Sequence, residues 1–587
     1  MRNFYLLDID LNKEEFNVVD ITDVFREYIG GTGVATKLFL DACEDNIDPL
    51  DSGSPIVFAI GPTNNYFPVI TKTVAVFKSP LTGDFGESHA GGNVGLAMYQ
   101  AGFHAIRIKG KAQYFSYIEI ENNRVRVLRA DSLRNMSATA TERVLMDKYN
   151  NLRVKSIMKI GPAGERLSPI ACVGVDSSRH FGRLGLGAIF GSKNIKAIVI
   201  YGTKYSDAPK GKYNALYNNL YKEITQSELM HKYHDLGTAS NVVPLSKING
   251  LPVRNFSQGF FEGADNISGE NMADKHLVQK IACAGCPVGC IHIGEVRIMF
   301  EAEHHMYKSK KVSYDHEPIY AFGSNLSVDN SDYLLLLLHE VERQGWDVMS
   351  MGVTLAWATE AFQKGIINKN HTLGEVLNFG DAETYLRVLN KISKNANEFY
   401  KDLERGTYFC AKKYGGEDFA IVFNKNEAAG YLTGIMTFLG YSTDTRHSHL
   451  GNAGYSIDQK FKNNQVSIEE RMKELYNEGI WRIIFTSIAG CLFARGVYHK
   501  ESIIPDILTT SGFEGYDDKK LWEIARKIHA LKWNFKFKNG FRFDNVRLPV
   551  KLTHVMTSNG SITQEEFIKG MDIFKHYVEE DLKLLNS

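Results

Sequence analysis

Ile281-Ala-Cys-Ala-Gly-Cys-Pro-Val-Gly-Cys290 holds three of the chain's seven cysteines, spaced Cys283-x-x-Cys286-x-x-x-Cys290. Thiols this close ligate a metal or an iron–sulfur cluster, or they pair as disulfides. Disulfides between them would be strained and would leave one cysteine over, and the rest of the chain has no secreted, disulfide-rich character. Structural zinc usually draws on two close pairs or knuckles, and a second close pair is missing. A cubane takes four cysteines, the fourth often from far along the chain. Cys491, in the apolar stretch Ile488–Gly496 (IAGCLFARG), is placed for that role. The spacing favours a [4Fe–4S] cluster on Cys283, Cys286, Cys290 and Cys491, with a zinc knuckle completed by His276 or His292 as the alternative. The order of the spacings is not the Cys-x-x-x-Cys-x-x-Cys of radical S-adenosylmethionine enzymes.

The 587 residues allow two to four domains and a large core. Sixty-eight basic residues balance sixty-eight acidic ones, so neither nucleic acid nor an anionic membrane is indicated as the main partner. Asp8, Asp10, Glu14 and Glu15 are foreign to a signal peptide. The longest apolar run, Tyr333–Leu338, is far too short to span a bilayer. With sparse, partly clustered cysteine, the chain reads as a soluble, cytoplasmic protein of a reducing compartment.

Along the chain, NFYLLDID and FNVVDI within residues 1–21 read as a β-hairpin around LNKEE. Arg26–Gly33 (REYIGGTG) is a tight turn opening a helix. PIVFAIGP, TVAVFKSP, HAIRIKGK and FSYIEIE, between residues 55 and 121, are short strands, and Glu121-Asn122-Asn123 is a hairpin turn before RVRVLRA. Glycine-dense loops at Lys78–Gly83, Ser88–Gly95, Gly161–Glu165 and Phe181–Lys196 suggest a large phosphate-bearing ligand approached by backbone. None has the P-loop or Rossmann spacing in its required context. Beyond Tyr201 the pattern turns helical, with helices expected over Tyr213–Leu236, Tyr333–Glu342, Met351–Gln363, Ala382–Tyr400, Ile480–Gly490 and Glu565–Leu585. The expected fold class is α+β. A β-rich domain spans residues 1–205; a helical domain with three cluster cysteines spans 206–400; a second helical domain with the fourth spans 401–587.

Together these blocks resemble the aldehyde ferredoxin oxidoreductase family of tungsten or molybdenum bis-pterin enzymes. The likeness runs in order through Ile29–Gly33, Lys78–Gly83, Gly91–Gly95 with Ala101-Gly102-Phe103, Gly161–Glu165, Gly182–Lys196, the cysteine cluster, Glu317–Gly323, Glu342–Asp347 and Cys491 with Phe493. It implies a β-rich base for a bis-pterin metal centre, two helical domains over it, and a [4Fe–4S] cluster on the four cysteines beside one pterin. It also implies electron exit to ferredoxin or another iron–sulfur protein, a small aldehyde or acid substrate, magnesium bridging the pterin phosphates, and a homodimer in some members. Gly91, Arg183, Leu184 and Gly185 fall in the loops that hold pterin backbone and phosphates, where arginine suits phosphate. Two pterin-binding segments appear as Glu342-Arg-Gln-Gly-Trp-Asp347 and Thr486-Ser-Ile-Ala-Gly-Cys491, making Glu342, Asp347, Thr486 and Gly490 candidate contacts. The chain departs from the family in carrying Lys72 for a common arginine, His89 for asparagine, and no aspartate at the head of the second segment. It also lacks a Glu-x-x-His pattern around Leu336.

The reaction needs an acid/base group beside the reacting carbonyl. Glu317, in Tyr314–Gly323, matches the family's active-site glutamate; His316 and Asp315 are weaker candidates. Arg446–Asp458 (RHSHLGNAGYSID) supplies His449, the preferred histidine, and His447; its wording is closer to a bacterial branch of the family. Tyr314, Tyr320 and Tyr441 are candidate pocket walls, and Cys172 and Cys410 read as buried free thiols. The expected function is interconversion of aldehyde and carboxylic acid. One alternative is the tungsten subunit of a multi-subunit, low-potential reductase of aryl acyl thioesters. Another, from a different class, is a non-catalytic electron-transfer or zinc-scaffold subunit. The residues do not choose between tungsten and molybdenum.

Overall fold

The computed structural model describes residues 3–586 except 123, 206–208, 210, 302–305 and 463–465. The N-terminal layer is two six-stranded sheets. In the first, β1 (Tyr5–Asp10), β2 (Glu15–Asp20), β3 (Ile56–Ile60), β4 (Thr73–Lys78), β5 (Phe85–Ala90) and β6 (Ala105–Lys109) lie in the order β2-β1-β6-β3-β4-β5. β1 and β2 form the expected hairpin, Tyr5 opposite Asp20, and β1 runs parallel to β6. In the second, β7 (Ser116–Glu121), β8 (Arg124–Arg129), β9 (Lys155–Lys159), β10 (Val173–Val175), β11 (Arg179–Phe181) and β12 (Ile195–Tyr201) lie in the order β11-β10-β9-β12-β7-β8. Glu121 pairs with Arg124 at the β7–β8 turn; Asn123 of that turn lies outside the described residues.

β3 and β4 are buried at every position, which is why they read as unbroken apolar runs rather than alternating ones. One core lies between the two sheets and includes Phe58, Phe77, Ile118, Ile198 and the helix Val94–Ala101. On the other side, Val57, Ala59, Val74 and Val76 join the core of the helical part. The helices Ser331–Gln344, Val348–Gln363, Ile468–Ser487, Asp518–Lys538 and Gln564–Leu582 dominate that part. All five begin on side-chain caps, from Asn330, Asp347, Ser467, Asp517 and Thr563.

Some expected helices are divided or shorter. Tyr213–Leu236 breaks at extended Ser227 into Tyr213–Gln226 and Glu228–Leu236. The stretch read as one helix over 382–400 is Ala382–Ser393 and Glu398–Leu403, parted where Asn395 takes φ 49°. The helix expected to reach Gly490 stops at Ser487. Within a part assigned by sequence to a helical domain, β13 (Leu277–Ile281), β14 (Ile291–Glu301) and β15 (Met306–Tyr314) form an antiparallel sheet. The apolar-polar alternation of Ile291-His-Ile-Gly and Val296-Arg-Ile carries that signal weakly, because Glu295 shifts its phase.

The two parts meet backbone to backbone. Cβ atoms at Gly31 and Gly61 would fall 2.3 Å from the Thr486 carbonyl and 2.1 Å from that of Ile488. Cys491 N–H donates to Val69 O at 3.0 Å, and Thr71 and Lys72 N–H donate to Ala489 O at 3.1 and 3.0 Å. Two buried ion pairs cross the same seam, Lys532–Glu87 at 2.5 Å and Lys536–Asp84 at 2.7 Å.

Candidate active site

The four cysteines come together although Cys491 is some two hundred residues from the others. Cys283, Cys290 and Cys491 lie in the field of the cations Lys72 and Arg179, and Cys286 in that of the other three thiols. Burial works against a charged Cys283, yet Lys72 and Arg179 hold its thiol below the ordinary value. Burial pushes the Cys286 and Cys290 thiols up to about 12 and about 11. Bringing Cys286 and Cys290 to the thiolate form that binds metal therefore calls for positive charge beside them. Gly91 closes this site from the side: a Cβ there would stand 2.5 Å from Cys283 Sγ and 3.1 Å from Lys72 Nζ. Of the two histidines in the zinc alternative, His276 is engaged at both ring nitrogens, whereas His292 keeps a buried Nδ1 without a partner. His276 meets Glu295 O at 3.2 Å and Ser331 Oγ at 2.9 Å, and His292 Nε2 meets His234 O at 3.0 Å. Among the described residues no group of three or more thiols, imidazoles or carboxylates is closed to metal-binding geometry; what fits a [4Fe–4S] cluster is the donor chemistry of four free thiols in one cationic pocket.

Beside it lies a buried polar centre. Glu317, in the helix His316–Phe322, accepts from Gly430 N–H at 3.0 Å through Oε2. Its Oε1 lies 3.3 Å from His449 Nε2, without the alignment of a hydrogen bond. Burial pushes Glu317 up to about 8, with the Asp315 charge adding to the effect of burial and Arg183 opposing it. Burial, and after it Arg183, hold His449 well below the ordinary histidine value, so its ring is neutral. His449 is flanked by Tyr431 and Tyr455.

Arg183 is fixed between elements. Its Nε donates to Asp347 Oδ2 at 3.2 Å and its Nη2 to Glu427 O at 2.7 Å, while Nη1 is buried without a partner. Other buried atoms nearby share that condition: Arg179 Nε, Tyr314 OH, Asp315 Oδ1, Glu317 Oε1, His449 Nδ1 and Arg482 Nη2. Buried polar groups in folded proteins are almost always satisfied. So many orphans in one region, of both donor and acceptor type, fit walls that hold a large polar ligand such as a phosphate-bearing pterin.

Comparison with known proteins places this arrangement. The family model described as aldehyde ferredoxin oxidoreductase, N-terminal domain, matches residues 6–202, and that for domains 2 and 3 matches residues 215–580. The chain belongs to the aldehyde ferredoxin oxidoreductase family. Its relatives include the tungsten-containing aldehyde ferredoxin oxidoreductase of Pyrococcus furiosus, 32% identical over 74% of this chain and 71% of the relative. The protein of the same name from Thermococcus kodakarensis is 30% identical over 90% of this chain and 84% of its own length. A solved active-site complex of benzoyl coenzyme A reductase with 1,5-dienoyl-CoA shares the fold, with a TM-score of 0.79 at 19% identity over 99% of this chain and 95% of that one.

The residues that the family resemblance assigns to pterin contacts divide in two. Lys72, Gly91, Arg183 and Asp347 surround the site. Asp347 also caps the helix Val348–Gln363, accepting from Met349 and Ser350 N–H at 3.3 and 3.2 Å. Glu342 is buried and pushed by burial up to about 7, with His180 3.8 Å away. The others are held by protein. His89 bonds Glu87 at 2.6 Å. Thr486 donates to Arg482 O at 2.8 Å, and Gly490 lies under the Phe485 ring. Leu184 turns the chain at φ 71° and offers its carbonyl to Ser79. Gly185 is pressed against Pro169 O. Several loop glycines expected to face phosphate instead admit close backbone packing, as at Gly161 against Gln344 O and Gly191 against Gly164 O. His447 is tied into a separate network with Asn424, Lys536 and Tyr441 O, and burial holds it down at about 3. Cys172 and Cys410 are buried free thiols. Sequence reasoning passed over Arg179 and Glu427, single charged residues outside any motif. Buried Glu427 takes bonds from Ser350 Oγ and Thr407 N–H behind Arg183.

Proposed function

We propose that this chain is a cytoplasmic oxidoreductase that interconverts aldehydes and carboxylic acids at a tungsten or molybdenum bis-pterin centre. Electrons pass through one [4Fe–4S] cluster to an iron–sulfur partner such as ferredoxin. The observation that carries the reading is the buried Glu317–His449 pair, set beside Arg183 and next to four converging cysteines. Cys283, Cys286, Cys290 and Cys491 would hold the cluster. Lys72, the Gly91 backbone, Arg183, Glu342 and Asp347 would hold the pterins and their phosphates. When bound, the metal–pterin group supplies two-electron oxidation of the carbonyl carbon.

The chain's own residues supply the rest. Glu317, neutral below about pH 8, holds a transferable proton. Ionised Glu317, populated as pH rises through about 8, is the acceptor for the proton released in aldehyde oxidation, and His449, kept uncharged 3.3 Å away, orients it without competing for the proton. Tyr320 and Tyr441 anchor the backbone that presents Gly430 N–H to Glu317, donating to Ala428 O and Ala429 O at 3.3 Å each. Among the described residues no helix is long and apolar enough to cross a membrane.

The test is purification without oxygen, with metals and pterin measured together and aldehyde oxidation followed with a viologen acceptor. About four irons, one tungsten or molybdenum and two pterins per chain are expected. Zinc alone, or four irons in fully loaded protein without pterin, would overturn the reading.

A further inference from the structure

Lys72 and Arg179 are cations for which the protein supplies no acid. Neither makes an ion pair with a described carboxylate, and Lys72 Nζ makes no hydrogen bond with a described residue. Arg179 Nε is buried without a partner. Elsewhere in the interior the fold does otherwise. Lys159 sits on Glu142 and Lys196 on Glu165, each at 2.5 Å, and Lys532 and Lys536 hold Glu87 and Asp84. Lys193, buried without an acid, is met by the carbonyls of Ser52 and Gly110 at 2.7 and 3.3 Å. A charge drawn out of water needs a partner of opposite sign, or hydrogen bonds in its place. Lys72 and Arg179 are both half-buried; the first has neither, and the second has only a thiol, Cys283.

What they face is the cysteine set. A Cβ on Gly91 would stand 2.5 Å from Cys283 Sγ and 3.1 Å from Lys72 Nζ, so sulfur and ammonium share the one gap left by the missing side chain. Lys72 N–H is bonded to Ala489 O at 3.0 Å, two residues before Cys491. Lys72 is thereby held against both halves of the set, the loop Cys283–Cys290 and the distant Cys491. Arg179 opens β11, where it pairs with Val175 of β10. Its charge reaches Cys283, Cys290 and Cys491, and Cys283 also accepts a hydrogen bond from it. Asp315 is the acid in that field, beyond ion-pair distance and two residues before Glu317. A [4Fe–4S] cluster on four thiolates is an anion, and reduction adds a further negative charge. Cations fixed beside it favour the more negative, reduced state, and inside a protein such charges are screened little.

We propose that Lys72 and Arg179 are the cluster's built-in counter-charge, retaining its anion inside the fold and raising its reduction potential. Arg179 touches no substrate atom; it acts through the cluster, making it a readier acceptor for electrons that leave the metal centre. Lys72 does the same from the other side, beside whatever it gives the pterins. The inference rests on the reading of Cys283, Cys286, Cys290 and Cys491 as the cluster ligands. Its test is the potential of the cluster in the cofactor-loaded enzyme, kept from oxygen and titrated with the reduced cluster followed by electron paramagnetic resonance.

Arg179→Gln is expected to cut the ratio of reduced to oxidised cluster at a fixed poise at least tenfold, a fall of about 59 mV for a one-electron couple. Lys72→Met is expected to do the same. Arg179→Lys and Lys72→Arg, which keep the charge, are expected to shift the ratio less than tenfold. Should a neutral variant come out without its iron, its charge-keeping partner decides. About four irons per chain held by that partner would show that charge retains the cluster, whereas iron lost from both would overturn the inference, since shape then accounts for the loss. A loaded neutral variant whose ratio shifts less than tenfold would overturn it as well. Natural enzyme with no cluster signal would overturn the cysteine assignment and the inference with it. None of these readings needs aldehyde turnover.

Discussion

Glu317 takes a proton from water at an unusually high pH for a carboxyl group, about 8 against an ordinary 4.5. The raised value fixes a sign. The unfolded chain ionises near the ordinary value and the folded chain only near 8, so stability falls as pH rises through that window and levels off above it. Glu317→Gln should remove the slope. Urea unfolding of natural protein should show a loss on the order of 4 kcal/mol between pH 5 and pH 9 that the variant lacks. The same variant should lower kcat by about 10²- to 10⁴-fold and abolish the rise in aldehyde oxidation with an apparent pKa near 8. The two histidines separate by the same logic. His449→Asn should lower kcat at least a hundredfold with little change in melting temperature. His447→Asn should act chiefly on stability, costing about 1–3 kcal/mol by thermal unfolding, because its ring bonds Asn424 and Tyr441 O in the core. The cysteines were legible because close spacing admits so few chemistries. Glu317 and His449 were legible only through the family likeness. Arg179 and Glu427 were not legible, since an isolated charge has no period or spacing to mark it.

At the scale of elements, the site depends on loops pressed together more closely than a side chain permits. The cysteine loop and the strand-to-helix loop at Gly91 are one such case, with 2.5 Å available to a Cβ against Cys283 Sγ. Gly91→Ala should displace Cys283 or Lys72, and iron analysis should find clearly fewer than about four irons per chain in a protein that still folds. The helices were largely foreseen from their period, with errors at boundaries such as Ser227 and Ser487, where backbone conformation rather than hydrophobicity ends the helix: Ser227 is extended and Ala489 takes φ 63°. The sheet of β13, β14 and β15 escaped because its pattern shifts phase in mid-strand. The glycine loops were located correctly, but much of their glycine serves contact between backbones, a need that looks the same in sequence as a ligand's approach.

For the whole molecule, the seam between the β layer and the helices is electrostatic as well as apolar. Lys532 and Glu87 are each 4% exposed, and Glu87 also holds His89. Removing one partner strands the other: Lys532→Met should cost about 3–5 kcal/mol by denaturant unfolding, while Glu87→Leu with Lys532→Met should recover most of the loss. The β-rich start and helical remainder were readable from composition and period. That residues 69–72 and 489–491 would lie side by side was implied only by the need for a fourth thiolate.

That last contact sets a timetable for making the protein. Ribosomes add about 5–20 residues per second. Cys491 therefore emerges roughly 10–40 seconds after Cys290, while the β layer and three of the thiols are already outside. Until then the nascent chain carries an incomplete, oxidisable trio, and residues 69–72 lack the 489–491 stretch that pairs with them. Delivery of iron and sulfide must wait for residue 491, and a chain truncated anywhere before it would leave its builder a site that can never close.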